Sequence, residues 1–180
     1  MAPMYEYLRE LNISPTRVLD IGAHHGFWTQ NCKKFWPDAH YTLIEAGDHR
    51  DKLEKFSDDV HIEVLFDKET EIKMYHNSKG FTKGASMRDV MPNWTMRKTK
   101  KLESVVSGRY EVIKQDVQGA EMSIMLGSPD IFRQADYVIN EVLIVDVPAM
   151  SAFMKTLGFN KNEYISPIIN GETDIIYWKG

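Results

Sequence analysis

The stretch Arg17-Val18-Leu19-Asp20-Ile21-Gly22-Ala23-His24-His25-Gly26 constrains this chain more than any other. An apolar run carrying one acid turns on two glycines and gives way to a helical pattern through Trp28, Cys32 and Phe35. About twenty residues later a second apolar run, Tyr41-Thr42-Leu43-Ile44, ends in another acid, Glu45. Strand, glycine turn, helix and strand make one βαβ unit, and repeated units of this kind build a parallel sheet with helices on both faces.

The remaining pattern extends that unit. The sequence predicts a short amphipathic helix over residues 3–11, strands near 17–22, 40–45 and 60–66, and helices near 26–35 and 48–57. Residues 71–75 read as a hairpin partner of the third strand. Residues 77–97, with Gly80, Gly84 and Pro92 spread through them, read as an irregular loop and a candidate substrate lid containing Ser86, Met87, Asn93 and Trp94. A short helix or turn is expected over 101–106. A fourth strand covers 111–116, and a helix opening at Gln118-Gly119-Ala120-Glu121 stops at Gly127. A fifth strand follows over 136–142, then a helix over about 148–157. Two last strands, 159–165 and 174–178, are joined by Asn170-Gly171, a hairpin signal. The expected fold is α/β: one domain of 180 residues, with a doubly wound, mostly parallel sheet and an antiparallel C-terminal strand.

The glycine spacing narrows the ligand. A dinucleotide fingerprint, G-x-G-x-x-G, brings backbone against a pyrophosphate. Here the loop reads Asp-x-Gly-x-x-x-Gly, with Gly22, Ala23, His24 and Gly26 in the turn and Asp20 at its mouth. A carboxylate there repels a pyrophosphate but suits a cofactor that carries an ammonium and a sulfonium. Glu45 has the chemistry to accept hydrogen bonds from two ribose hydroxyls. The pattern therefore favours S-adenosylmethionine over a nicotinamide dinucleotide, and a methyltransferase over an oxidoreductase. Ala46, after Glu45, and Phe66, ending the third strand, complete the expected cofactor wall.

Ligands of such sheets bind beyond the carboxyl ends of the strands. Asp20, Glu45, Asp116 and Glu141 each end or nearly end a strand, so all are expected on one rim. Asp116 is the expected residue nearest the methyl group, with Glu121 and Glu141 as further catalytic candidates. Asp116, Glu121 and Glu141 are also oxygen ligands suited to Mg²⁺ or Ca²⁺, but no dense ligand motif accompanies them and no metal is expected. His24 is expected to serve the cofactor loop. Arg97-Lys98-Thr99-Lys100-Lys101 is the one basic cluster and reads as a solvated turn, or as a site for an anionic acceptor.

The formal net charge of -4 provides no global basic field and disfavours a nucleic-acid partner, although methylation of RNA ribose remains an alternative. The single cysteine, Cys32, excludes an intramolecular disulfide and fits a reducing compartment. No apolar run approaches a membrane span, and acids at the N-terminus do not suit a signal peptide, so a cytoplasmic protein is expected.

Leu19-Asp20-Ile21-Gly22-Ala23-His24-His25-Gly26, Ile44-Glu45-Ala46, Gly84-Ala85-Ser86-Met87 and Ile113-Lys114-Gln115-Asp116-Val117-Gln118-Gly119-Ala120-Glu121 together resemble the FkbM-type methyltransferase family. The last segment, K-x-D-V-x-G-A-E after a strand, is the most specific, and the resemblance runs over residues 16–142. It implies a Rossmann-like class I methyltransferase fold, S-adenosylmethionine as donor, and methyl transfer to an oxygen, often a hydroxyl of a sugar, glycan or small metabolite. It also implies that Ser86 binds the cofactor or shapes the lid. Two departures stand out. Ala46 replaces the family's proline, and the chain carries little beyond the core sheet to recognise substrate. Recognition then falls to residues 77–97, the N-terminal helix or a second subunit in a homo-oligomer. A non-catalytic binding or scaffold protein on a degenerate methyltransferase core is the remaining alternative.

Overall fold

The structure is a computed structural model and describes residues 3–76 and 92–180. The chain runs α1 (Pro3–Glu10), β1 (Arg17–Ile21), α2 (Phe27–Cys32), β2 (His40–Glu45), α3 (Arg50–Leu53), β3 (Asp59–Ile62) and β4 (Val64–Leu65). β5 (Glu71–His76), β6 (Asn93–Lys100), β7 (Val112–Gln115), α4 (Glu121–Gly127) and α5 (Pro129–Arg133) follow. β8 (Tyr137–Leu143), α6 (Val147–Thr156), β9 (Lys161–Tyr164) and β10 (Glu172–Trp178) complete it.

Val18, Leu19, Asp20 and Ile21 of β1 are all buried. A strand covered on both faces belongs in the middle of a parallel sheet. β1 pairs in parallel with β2 on one side and β7 on the other. The full order is β3-β2-β1-β7-β8-β10-β9, in which β10 alone runs antiparallel to its neighbours. Alternate side chains of β1 face different cores. Leu19 and Ile21 join Ile113, Val138 and Tyr177 beneath Ile124 of α4, Phe132 of α5 and Met154 of α6. Val18 joins Val112, Ile139 and Ile176 beneath Leu8 of α1, Trp28 and Cys32 of α2, and Leu53 of α3. Helices on both faces make the sheet doubly wound, as expected, and the strand order reverses between β1 and β7. The Asn170-Gly171 turn also forms, with both residues in the left-handed region (φ 54° and 82°) that a two-residue type I′ turn requires.

Several expectations are corrected. The third strand is two pieces: β3 joins the main sheet and β4 leaves it at Glu63 to pair with β6. Residues 71–75 do not fold back on the third strand. They lie in β5, which pairs antiparallel with β6 in a separate sheet of order β4-β6-β5. Residues 93–97, expected as loop, and most of the basic cluster are therefore strand. Of β6 only Thr99 is buried, so it shows no apolar alternation, and pairing with β5 holds it. α3 is a single turn rather than ten residues, because Leu53 is its only buried side chain. Residues 77–91 of the expected lid, with Ser86 and Met87, lie outside the described residues. No helix among the described residues is long and apolar enough to cross a membrane.

Gly22 fixes the junction of the two central strands. It sits at φ 81°, and a Cβ there would lie 1.8 Å from the Asp116 carbonyl oxygen. Gly22→Ala should therefore cost more than about 2 kcal/mol of unfolding free energy in urea, combining left-handed strain with a backbone collision. A loss under about 0.5 kcal/mol, as for an ordinary surface substitution, would mean that the junction is looser than this contact implies.

Candidate active site at the carboxyl rim of the sheet

The turn after β1 is tied to β2 before any ligand is considered. Gly22 and Ala23 donate their N–H groups to the Ile44 carbonyl at 2.8 and 3.1 Å. The Glu45 carboxylate accepts from the His24 N–H and the Gly47 N–H, both at 2.7 Å. Each of these bonds uses one oxygen, so each oxygen keeps a lone pair for a further donor. Gly26, at φ 77°, opens α2, and a Cβ there would strike the Phe56 ring. Gly22, Ala23, His24, Gly26, Glu45 and Ala46 thus lie in one hydrogen-bonded group. Arg97 adds to it by donating from Nη2 to the Ala46 carbonyl at 3.0 Å. Phe66 follows β4 and donates its N–H to the Lys100 carbonyl.

Asp20 is not at the mouth of this loop. It is buried, and its Oδ2 accepts the Thr29 hydroxyl at 2.6 Å, beneath α2. Strand alternation turns its side chain into the core that holds Val18. Burial pushes its carboxyl up to about 6, against the pull of Thr29 and Lys114.

The second half of the rim comes from β7 and β8. Gln115 pairs in register with Asn140, which sets Asp116 beside Glu141. Gln118, in the left-handed region at φ 56°, donates its amide to Asp116 at 3.0 Å and to Glu141 at 2.8 Å. Below them Lys114, 3% exposed, directs Nζ towards Asp174 at 3.4 Å and Asp116 at 3.8 Å. Burial disfavours charge on Asp116, but Lys114 and the hydrogen bonds from Glu141 and Gln118 outweigh it and hold its carboxyl below the usual range. Burial, then the bond and repulsion from Asp116, push Glu141 up to about 8. The opposite directions of the two shifts favour one proton and one negative charge shared by the pair. Such a pair titrates as a unit.

Glu121 does not join them. It is buried, and its carboxylate accepts from the Val117 and Gly119 N–H groups at 3.1–3.2 Å. It closes the first turn of α4, where the helix dipole favours an acid. The trio Asp116, Glu121 and Glu141 is therefore not assembled as a metal site.

Sequence reasoning missed Lys114, Gln118 and Asp174. Lys114 did leave a signal, because a lysine between Ile113 and Gln115 in a fully buried strand requires a partner. Asp174 left none: it arrives through the antiparallel pairing of β10 with β8, opposite Glu141. His76 bonds to Thr95, and the Trp94 ring carries the Lys73 ammonium at 4.5 Å.

The fold is a doubly wound sheet with acidic side chains gathered at the rim of its switch point. No protein-family model matches the sequence, and no curated protein sequence does. Solved structures do match. The methyltransferase FkbM from Methylobacillus flagellatus is 11% identical with a TM-score of 0.71, over 99% of this chain and 48% of that one. A TehB-like SAM-dependent methyltransferase from Corynebacterium glutamicum is 7% identical with a TM-score of 0.56, over 100% and 89%. The precorrin-6y methyltransferase from Geobacter metallireducens is 14% identical with a TM-score of 0.54, over 98% and 87%. At these identities the likeness is one of fold, which is Rossmann-like, and this chain spans about half the length of the FkbM protein.

Asp20 gives a test of the buried face. A carboxyl with a raised folded value holds its proton more tightly when folded, so its stability is full below 3.8 and lost as pH rises through about 6. That gap is worth about 3 kcal/mol at ~1.4 kcal/mol per pH unit. Relative to the parent, Asp20→Asn should gain about 3 kcal/mol in urea unfolding between about pH 3.5 and about pH 7. A difference that stays constant with pH would show that Asp20 titrates normally.

Proposed function

We propose that this chain is the catalytic core of an S-adenosylmethionine-dependent methyltransferase that methylates an oxygen, on a sugar, glycan or small hydroxylated metabolite. The carrying observation is the Asp116–Glu141 pair at the switch-point rim, with Gln118 across it and Glu45 on the adjoining strand end. The donor chemistry fits the cofactor. Glu45 keeps free lone pairs for ribose hydroxyls, and the charge of Asp116 favours a cationic ammonium and sulfonium. The Gly22 and Gly26 turn stays close against β7 and α3 without side chains in the way.

When bound, the cofactor supplies an electrophilic methyl group. The protein then has to orient a hydroxyl and remove its proton. Asp116, held ionised by Lys114, accepts the hydrogen bond of the acceptor hydroxyl and takes its proton as that oxygen becomes acidic during methylation. Glu141, holding its proton near neutral pH, donates to Asp116 and fixes its orientation. Gln118 keeps the two carboxyls in register. This division of roles accounts for two acids on one rim without two charges.

Calorimetric titration with S-adenosylmethionine and S-adenosylhomocysteine, with NADH as the control, is the direct test. Micromolar binding of the first two and none of the third is expected. Glu45→Ala should weaken that binding by about 5- to 150-fold, equivalent to about 1–3 kcal/mol. Binding of neither adenosyl compound would overturn the reading and leave a scaffold on a methyltransferase fold. Unchanged affinity in Glu45→Ala would remove the ribose from that strand end. With label transfer from S-adenosylmethionine to a panel of sugars and hydroxylated metabolites, Asp116→Asn should abolish most product while keeping cofactor affinity within a few-fold.

A further inference from the structure

Beside the glycine turn stand three imidazoles to which methyl transfer gives no chemical role. His24 and His25 lie in the turn after β1, and His49 precedes α3. The His24 and His25 rings stack with centroids 3.9 Å apart, and His49 stands edge-on to them at 5.3 and 4.6 Å. Among the described residues these three form a group in which one ring nitrogen from each lies within 4.8 Å of the others.

One further observation points to a ligand. His49 is 5% exposed, and among the described residues its buried Nε2 has no hydrogen-bond partner. A buried polar atom left unsatisfied is costly and asks for an occupant. A Cβ on Gly47 would come within 3.2 Å of that same Nε2, so a glycine keeps the nitrogen clear. Lys52 stands beside the cluster, with its ammonium 2.9 Å from His25 Nε2. An ammonium there donates to the lone pair of that nitrogen, and a metal ion bound through the same atom would have to displace it. Its side chain is flexible and half-buried, and it can swing into solvent.

We propose that His24, His25 and His49 bind a divalent transition-metal ion, with Lys52 as the resident cation of the metal-free protein. Three neutral imidazoles are borderline-soft donors, and Zn²⁺ is the ion they suit best, with its fourth position left open. Glu45, which accepts the His24 N–H, supplies negative charge beside the ion. The site needs a modest adjustment. Zn–N bonds of about 2.1 Å set tetrahedral nitrogens about 3.4 Å apart, so no pair has to close by more than about 1.4 Å. The stacked rings of His24 and His25 must also splay so that their in-plane lone pairs converge. Both belong to a half-buried turn that allows side-chain rotation, while buried His49 is the fixed member. The proposal stands apart from the methyl-transfer reading, since binding of the metal requires no cofactor.

The test uses the full chain without an affinity tag, titrated with ZnCl₂ by calorimetry and with CoCl₂ by visible absorption. One equivalent of Zn²⁺ should bind with a Kd of about 1 µM or below, and bound Co²⁺ should show the intense bands of four-coordination. His49→Gln should weaken binding by at least about tenfold, while Lys52→Met should leave it equal or tighter. Where His49→Gln fails to fold, His25→Gln in the outer turn gives the same loss. Binding weaker than about 1 mM, or binding undiminished in the folded histidine variants, overturns the proposal.

Discussion

One buried ammonium makes the acidic rim possible. Lys114 is almost fully covered in the central strand β7, and the acids Asp20, Asp116, Glu141 and Asp174 surround it on one face of the sheet. A lone charge in that position would be strongly unfavourable. Burial works against the Lys114 charge, yet Asp116, Asp174, Glu141 and Asp20 together hold its pKa above the ordinary lysine range. The stabilisation runs in both directions. The same cation keeps Asp116 ionised where desolvation alone would neutralise it. A charge set of this kind fixes the relative positions of β1, β7, β8 and β10 without adding much net stability.

The environments of the acids then separate their roles. Asp20 lies beneath α2 against Thr29 and is drawn towards its neutral form. Glu121 is consumed by backbone N–H groups at the start of α4. Asp116 and Glu141 share a proton, bridged by Gln118. Glu45 and the Asp116–Glu141 pair keep acceptor capacity at the rim. Four acids at strand ends thus fall into distinct environments, set by strand parity and by which neighbours take up the lone pairs.

The β4-β6-β5 sheet adds a wall that the core sheet lacks. Arg97 ties β6 to the turn after Glu45, while Trp94, Lys73 and Met96 face outward.

Legible in the sequence were the parallel sheet and the strands and helices that build it, the Gly22 and Gly26 turn, and Glu45 at a strand end. Those features are local: apolar runs, glycines at positive φ and the Asn170-Gly171 turn act within a few residues of themselves. Placing Asp116 and Glu141 on one rim was equally legible, because both end strands of the same sheet. Only the tertiary structure decided that Asp20 faces inward, that Glu121 caps its own helix, and that Asp174 meets Lys114 from a strand about sixty residues away. It also decided that β6 exists, since a strand with one buried side chain is held by backbone pairing with β5 and carries no pattern of its own. Strand ends are written in local hydrophobicity. The direction of a charged side chain depends on which of its neighbours is buried with it, and those neighbours are distant in the chain.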